Sequence, residues 1–187
     1  MGTRVSMANT VENRIRTMRV LIILIGLLVV LTTAAPSILK ALAADSPKVE
    51  VSANNAKPRE VEDVTRAAIQ REYTNAWKSL AEALANNNAG ALDASFTGIA
   101  RKALGERIAQ QLQAGITVKI VDRGHDAQIV FYSPEGSSIQ LKDVADLEIQ
   151  YLDGGKVVHS ERVKQNYIAL LTVGEERWKV RVLQEIQ

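Results

Sequence analysis

The sequence has 187 residues, of which 47% are hydrophobic, 24% are charged and none is cysteine. At about 100 to 200 residues per domain, this length accommodates one globular domain and a short additional segment. The lack of cysteine excludes disulfides, thiolate zinc sites, iron–sulfur clusters and cysteine nucleophiles. The two histidines, His125 and His159, lack the spacing of metal ligands, so we predict neither a metal site nor another cofactor.

Positive charge is concentrated near the N-terminus. Residues 1–58 carry seven Lys or Arg and three Asp or Glu, a net charge of +4, whereas residues 59–187 carry 16 basic and 18 acidic residues, a net charge of −2. Nucleic-acid binding requires a basic surface that neutralises phosphates. We therefore do not expect a nucleic acid as a partner.

An uncharged apolar run extends from Val20 to Ala35 and continues to Leu39 before Lys40. As a helix, a run of about 20 residues measures about 30 Å, which matches the hydrocarbon core of a bilayer. Residues 20–40 are therefore predicted to form a transmembrane helix. The alternative is a signal peptide cleaved near Ala43, and the start codon stays open between Met1, Met7 and Met18.

The basic residues that precede the apolar run predict the topology. Four arginines lie before it, so the positive-inside rule places residues 1–19 in the cytoplasm as a basic tail. The rest of the chain is then exported: held at the inner membrane with a periplasmic or extracellular domain, or secreted if the leader is cleaved. Residues 41–58 are polar without an apolar period and are predicted to be a linker to a domain spanning residues 59–187.

The domain is predicted to begin with three helices. Pro58 suits a first helical turn, and apolar residues then recur at spacings of three and four up to Asn86. A short second helix is expected from Ala91 to Gly98. A third is expected to end at Gly115 and to bury a stripe formed by Ala100, Leu104, Ile108 and Leu112.

After Gly115 the apolar period changes from 3.6 to 2, which is typical of strands. Gly and Pro residues separate the strands at Gly124, Pro134–Gly136, Asp153–Gly155 and Gly174. Helices followed by an antiparallel meander indicate an α+β fold, in which three N-terminal helices pack on one face of a curved antiparallel sheet.

This order of elements resembles the nuclear transport factor 2-like superfamily, whose α+β fold is a cystatin-like cone. The resemblance is carried by Trp77 and the following Ala83–Ala85 in a long helix, by Gly115, and by Trp178–Val180 in the last strand. It covers roughly residues 59–187. Membrane-anchored relatives in type IV secretion systems and mycobacterial lipid importers imply a similar layout, with one span and an exported domain.

The resemblance also implies a pocket between the sheet and the long helix, which enzymes such as ketosteroid isomerases line with a carboxylate base and hydroxyl donors. The residues of this chain on the matching strand phase are Asp143, Glu161, Gln165, Tyr151 and Tyr167. They are pocket candidates, and none is assigned a catalytic role. A bulge of one residue would turn them to solvent instead.

The remaining polar residues are interpreted as solvent-exposed. Asp122–Asp126, which contains His125, is expected to be a hairpin loop, and His159 an exposed strand residue. A mixed charged face is expected to be the exterior of the sheet, with docking of a protein partner as the alternative. Its members are Lys142, Asp146, Glu148, Arg162, Lys164, Lys179, Arg181 and Glu185.

Two functions follow. The first is a membrane-anchored, non-enzymatic interaction or scaffold domain, with a second copy or an envelope protein as partner. The second is a small-molecule binder or isomerase-like enzyme that uses the cone pocket. The anchor and the absence of a catalytic motif favour the first.

Overall fold

The computed structural model describes residues 47–186, and the structural statements below refer to this part. The predicted cytoplasmic tail, the membrane or signal segment at residues 20–40 and the first residues of the predicted linker lie outside it. Between residues 47 and 186, neither helix combines the length and the apolar character needed to cross a bilayer.

The described chain is α+β, as predicted. In chain order, its elements are β1 (Val49–Ser52), β2 (Lys57–Pro58), α1 (Asp63–Ala85), a 3₁₀ helix (Ala89–Leu92), α2 (Gly98–Gln113), β3 (Ile116–Tyr132), β4 (Ser138–Asp153), β5 (Lys156–Val173) and β6 (Trp178–Ile186).

The prediction of three α-helices is wrong at the second, which is only the four-residue 3₁₀ turn. Asn88 caps this turn, since its side chain accepts a hydrogen bond from the amide of Gly90 at 3.0 Å. The residues up to Gly98 do not continue the helix because their backbone pairs with β6. The amide of Thr97 donates to the carbonyl of Val180, and the amide of Val180 donates to the carbonyl of Ser95, each at 2.9 Å.

The sheet has six strands and is mixed rather than purely antiparallel. Its main order is β1-β3-β4-β5-β6, with β2 also paired to β3. The meander of β3 to β6 is antiparallel as predicted, whereas β1 and β2 run parallel to β3. Part of the predicted linker therefore belongs to the sheet, and Pro58 lies in β2 instead of a helical turn. Val49 and Val51 are both buried, which anchors β1 on the domain.

Both long helices pack on the inward face of the sheet and form one core with it. α1 buries the predicted stripe from Ile69 to Leu84. α2 departs from prediction in its last turn, where Leu112 is 59% exposed and Gln111 is buried instead. Gln111 donates from Nε2 to the carbonyl of Leu84 at 2.7 Å and thereby joins α2 to the end of α1.

No turn interrupts β3 at Gly124, contrary to prediction. The strand is continuous over 17 residues, and its pairing with β4 shifts between Asp122 and Gly124. One extra residue, Arg123, is thus accommodated as a bulge, which changes the strand's alternation without reversing the chain. This bulge places the polar cluster described next.

Candidate functional site

A cluster of polar side chains lies inside the core, between α1 and the inward face of β3 and β4. Its centre is His125, which is buried, not exposed in a loop as the sequence suggested. The Nδ1 atom of His125 lies 2.8 Å from Oδ2 of Asp143, and Nε2 lies 2.8 Å from Oδ2 of Asp122. The same oxygen of Asp143 accepts a 2.8 Å hydrogen bond from the hydroxyl of Tyr73. We call Tyr73, Asp122, His125 and Asp143 the buried cluster.

The bulge at Arg123 brings two members of the buried cluster together. Side chains of a regular strand alternate between faces, so residues three apart lie on opposite faces. The extra residue resets this alternation, because Asp122 is opposite Leu147 and His125 is opposite Ala145, and both partners lie on the inward face of β4. Asp122 and His125 therefore both point inward.

Helix α1 covers the buried cluster with aromatic rings. Tyr73 and Trp77 are four residues apart and so share one face of the helix. The Trp77 ring lies 4.4 Å from the His125 ring, centroid to centroid, with an angle of 40° between the planes. A cationic imidazole is attracted to such a ring face, so Trp77 adds to the stabilisation of the charged histidine.

The electrostatics of the buried cluster favour a positively charged histidine. Burial by itself lowers the pKa of His125, but the hydrogen bonds that its ring donates to Asp122 and Asp143 outweigh it and raise the pKa to about 9. At neutral pH both ring nitrogens are therefore protonated and donate. Burial, and then the charge of Asp143, raises the pKa of Tyr73 well above its ordinary value, so the phenol stays neutral.

The two carboxylates are not fully satisfied. Oδ1 of Asp122 and Oδ1 of Asp143 are buried and have no hydrogen-bond partner among residues 47–186. Two carboxyl groups thus share one imidazole in the core. The buried cluster is stable only as a complete set, because removing one member would leave the charge of another member buried without compensation.

A separate cavity of about 380 Å³ opens beside Trp77, between the helices and the inward face of the sheet. Nine of its sixteen lining residues are aliphatic. The apolar lining consists of Trp77, Leu80, Leu84, Leu104, Val118, Ile120, Leu147, Ile149, Val163 and Leu183. A cavity of this size and composition is suited to apolar groups of a ligand or a partner.

Four of the predicted pocket candidates line this cavity: Tyr151, Glu161, Gln165 and Tyr167. The hydroxyl of Tyr167 donates to Oε1 of Gln165 at 2.8 Å. Burial, and then the charge of Glu185, raises the pKa of Tyr167 to about 12, so this phenol is a donor at physiological pH. Glu161 lies on an exposed part of β5, at the rim.

The fifth candidate, Asp143, lies on the same face but does not line the cavity. Its side chain is fully buried and bound to Tyr73 and His125, behind Trp77. A shallow depression on the outward face of the sheet borders Asp143 without exposing its carboxylate. The structure thus divides the candidates between the cavity and the buried cluster.

Several polar residues of both sites are not predictable from the sequence pattern. Glu185 was expected outside but lines the cavity, because β6 also shifts its pairing with β5 near Arg181. Arg107 lies at the rim of the cavity on α2. For the buried cluster, a usable signal was present: acidic residues flank His125, and Tyr73 and Trp77 have helical spacing. The bulge at Arg123, which brings these residues together, has no recognisable pattern in the sequence.

Comparison with known proteins gives a likeness in structure but not in sequence. No protein-family model matches the chain, and no curated protein is significantly similar to it. The intermembrane space region of the chloroplast protein ARC6 superposes with a TM-score of 0.59 and 14% identity, covering 69% of this chain and 98% of that one. At this identity the likeness shows the fold alone.

Two further solved structures match with lower TM-scores. A candidate scytalone dehydratase from Novosphingobium aromaticivorans has a TM-score of 0.44 and 12% identity, covering 66% of this chain and 85% of that one. A domain of unknown function with a cystatin-like fold from Nostoc punctiforme has a TM-score of 0.40 and 13% identity, covering 67% and 78%. The described part of the chain shares the α+β fold of the ARC6 region, and its curved mixed sheet with helices on one face is consistent with the predicted nuclear transport factor 2-like fold.

Proposed function

We propose that the chain is a membrane-anchored, exported interaction domain without catalytic activity. In this proposal, residues 20–39 hold it in the inner membrane, residues 1–19 lie in the cytoplasm, and the domain acts on the periplasmic or extracellular side as a scaffold for an envelope protein or for a second copy. The proposal rests on two observations. Basic residues precede the apolar run of the sequence, and the polar side chains of the buried cluster lie inside the core.

The observation that carries the non-enzymatic part is the burial of the buried cluster. An acid–base pair needs access to a substrate atom within hydrogen-bond reach. The side chains of His125 and Asp143 have no exposed surface, and their bonds are made to each other, to Asp122 and to Tyr73. Trp77, whose ring contacts His125, lines the cavity, whereas His125 and Asp143 do not. These groups therefore serve the stability of the core, which supports a binding role for the domain.

Apolar side chains on the strands also support binding. Val144, Val157 and Val158 are 45%, 46% and 60% exposed, respectively. Val157 and Val158 lie together near the end of the β4–β5 hairpin, where β5 is exposed over seven consecutive residues. Exposed apolar groups at one place are typical of contact surfaces.

The proposal is tested with the full-length chain in its native host. Tags at either end, combined with protease treatment of spheroplasts, report the topology: we expect the C-terminal tag to be cleaved and the N-terminal tag to be protected. After solubilisation in detergent, the chain is expected to elute in a complex of fixed stoichiometry, well above the mass of one copy. Recovery from the cytosol, or elution as a lone monomer, would contradict the proposal.

The cavity favours a second candidate function, that of a small-molecule binder or isomerase-like enzyme. Tyr167 and Glu161 supply a hydroxyl donor and a carboxylate next to aliphatic walls. The test uses the fluorescent apolar dye 1-anilinonaphthalene-8-sulfonate with the full chain. Val163→Trp should fill the cavity and abolish dye binding, whereas Ile168→Trp, on the outward face of the same strand, should not. Equal binding by both variants contradicts a ligand site in the cavity.

A further inference from the structure

Strand β5 is much longer than its neighbour β6. β5 extends over Lys156–Val173, but β6 pairs only with its second part, from Asn166 to Val173. On its other side β5 pairs with β4 along its length. Within residues 47–186, no strand pairs with the outer edge of Lys156–Gln165. We call these ten residues the free edge.

The free edge is accessible along most of its length. Residues 156–162 and Lys164 are exposed, and only Val163 and Gln165 are half-buried. A strand in this position presents unpaired amide and carbonyl groups to solvent and is a template for a further strand. An added strand would lie in line with β6 and extend the antiparallel meander.

The cavity lies beside the free edge. The cavity and the free edge share three residues, Glu161, Val163 and Gln165. These residues show where the inward face of an added strand would lie. Because strand side chains alternate between faces, every second residue of the added strand would cover the aliphatic walls of the cavity. Apolar residues fit those positions.

The free edge has a net positive charge. The free edge carries Lys156, Arg162 and Lys164 against one acidic residue, Glu161, a net charge of +2. Arg162 and Lys164 have the outward phase, since they lie opposite Glu148 and Asp146 on β4. Arg162 is paired with Asp146 at 2.6 Å, whereas Lys164 has no ion pair among the described residues. Two copies joined edge to edge would bring like charges together, so an acidic strand is the better complement.

We propose that the free edge binds an extended segment of a partner protein in which apolar and acidic residues alternate. The segment adds to β5 as an antiparallel strand, with its apolar side chains over the cavity and its acidic side chains beside Lys164 and Arg162. This inference rests on the proposed interaction function and specifies the chemistry of its partner. It is the β-strand addition mode of peptide recognition.

The probe is a synthetic peptide of about eight residues, alternating valine and aspartate, a length that covers most of the free edge. Binding to the full-length chain in detergent micelles is followed by hydrogen exchange of the backbone amides. We expect slower exchange in alternate residues of His159–Gln165, which follow the bulge at Val158. A peptide with lysine in place of aspartate should bind at least about tenfold more weakly because of the charge of the edge.

Backbone methylation of the peptide distinguishes strand addition from other binding. Only every second amide of an added strand donates to its neighbour. Of two peptides, one methylated on its valine amides and the other on its aspartate amides, one should lose at least about tenfold in affinity and the other should change little. An equal loss in both contradicts the proposal.

A charge reversal on the protein supplies the matched control. Lys164→Glu removes the unpaired outward cation of the free edge and is expected to weaken the aspartate peptide by about tenfold. Lys119→Glu makes the same change at an exposed residue of β3, which β4 separates from the free edge, and should leave affinity within about threefold. Neither residue belongs to the buried cluster.

Three results would overturn the inference: no binding at about 1 mM peptide, protection of amides away from β5, or slow exchange of the free edge in the full chain before peptide is added. The last result would mean that the chain itself or a second copy occupies the free edge. Dilution distinguishes these two cases, because only a second copy would dissociate. If the complex from membranes persists although the peptides do not bind, the interaction function stands. In that case only the free edge is excluded as its binding surface.

Discussion

The hydroxyl of Tyr73 on α1 donates a 2.8 Å hydrogen bond to Oδ2 of Asp143 on β4. The two residues are 70 positions apart in sequence and both are buried. The bond joins the helical layer to the sheet, and through Asp143 it also reaches His125 on β3. Several measurable consequences depend on this connection.

Removing the hydroxyl should destabilise the domain without leaving a large void. Tyr73→Phe deletes a hydrogen bond to a charged acceptor, and such bonds contribute about 1.5 to 3 kcal/mol. We expect a loss of that order in the free energy of unfolding, measured with urea. Tyr132→Phe is the matched control, since the Tyr132 hydroxyl makes no hydrogen bond within residues 47–186, and should change stability by about 0.5 kcal/mol or less. Equal effects in the two variants would contradict a role for the Tyr73–Asp143 bond.

The buried cluster should make stability depend on pH in the alkaline range. The pKa of His125 is raised from 6.5 to about 9 in the folded state, so its contribution is complete below pH 6.5 and is lost as the pH rises through 9. The shift corresponds to about 3 kcal/mol. Urea unfolding measured between pH 6 and pH 9.5 should therefore show falling stability with rising pH.

The second histidine provides the control for this pH dependence. His125→Gln should lower stability at pH 6 and flatten the profile, because two buried carboxylates lose their cation. His159→Gln changes the exposed histidine and should keep the wild-type profile. A profile unaffected by His125→Gln would mean that the imidazole is neutral in the folded state.

The bulge in β3 is expected to be essential. Deleting Arg123 restores regular alternation, so either Asp122 or His125 turns outward and the other loses its partner. We expect destabilisation of at least about 3 kcal/mol, seen as a lower melting temperature by circular dichroism. Arg123→Ala removes only the exposed ion pair with Glu148 and should have a small effect. A deletion variant as stable as the substitution would show that the register is not fixed by the bulge.

Gln111 is expected to connect the two long helices. Gln111→Leu leaves the carbonyl of Leu84 without its 2.7 Å donor, which should cost about 1 to 3 kcal/mol. Gln110→Leu, an exposed neighbour on the same helix, should have little effect on urea unfolding. A tolerated change at Gln111 would show that the remaining hydrogen bond from the amide of Asn87, at 3.4 Å, suffices for the Leu84 carbonyl.

The regular part of the fold follows from periodicity. The stripe from Ile69 to Leu84 and the alternation in β4 and β5 predict α1 and the meander correctly, since long elements repeat the signal many times. This alternation also placed Tyr151, Glu161, Gln165 and Tyr167 on the face that lines the cavity.

The remaining features depend on contacts distant in sequence. β1 buries only Val49 and Val51, too few for a detectable period, and forms because β3 provides a partner. The Arg123 bulge is not visible locally, because Gly124 is equally compatible with a turn. Without the bulge, the sequence predicts a loop position for His125 and does not place it next to Asp122 and Asp143.

The parallel pairing of β1 has a mechanical consequence. Val49 is opposite His125, and the amide of His125 donates to the carbonyl of Lys48 at 2.8 Å. Tension applied at Lys48 along the strand would load the β1–β3 bonds in shear, where several must break together. Strand β3, which holds His125, would therefore receive that force first and pass it to the rest of the sheet.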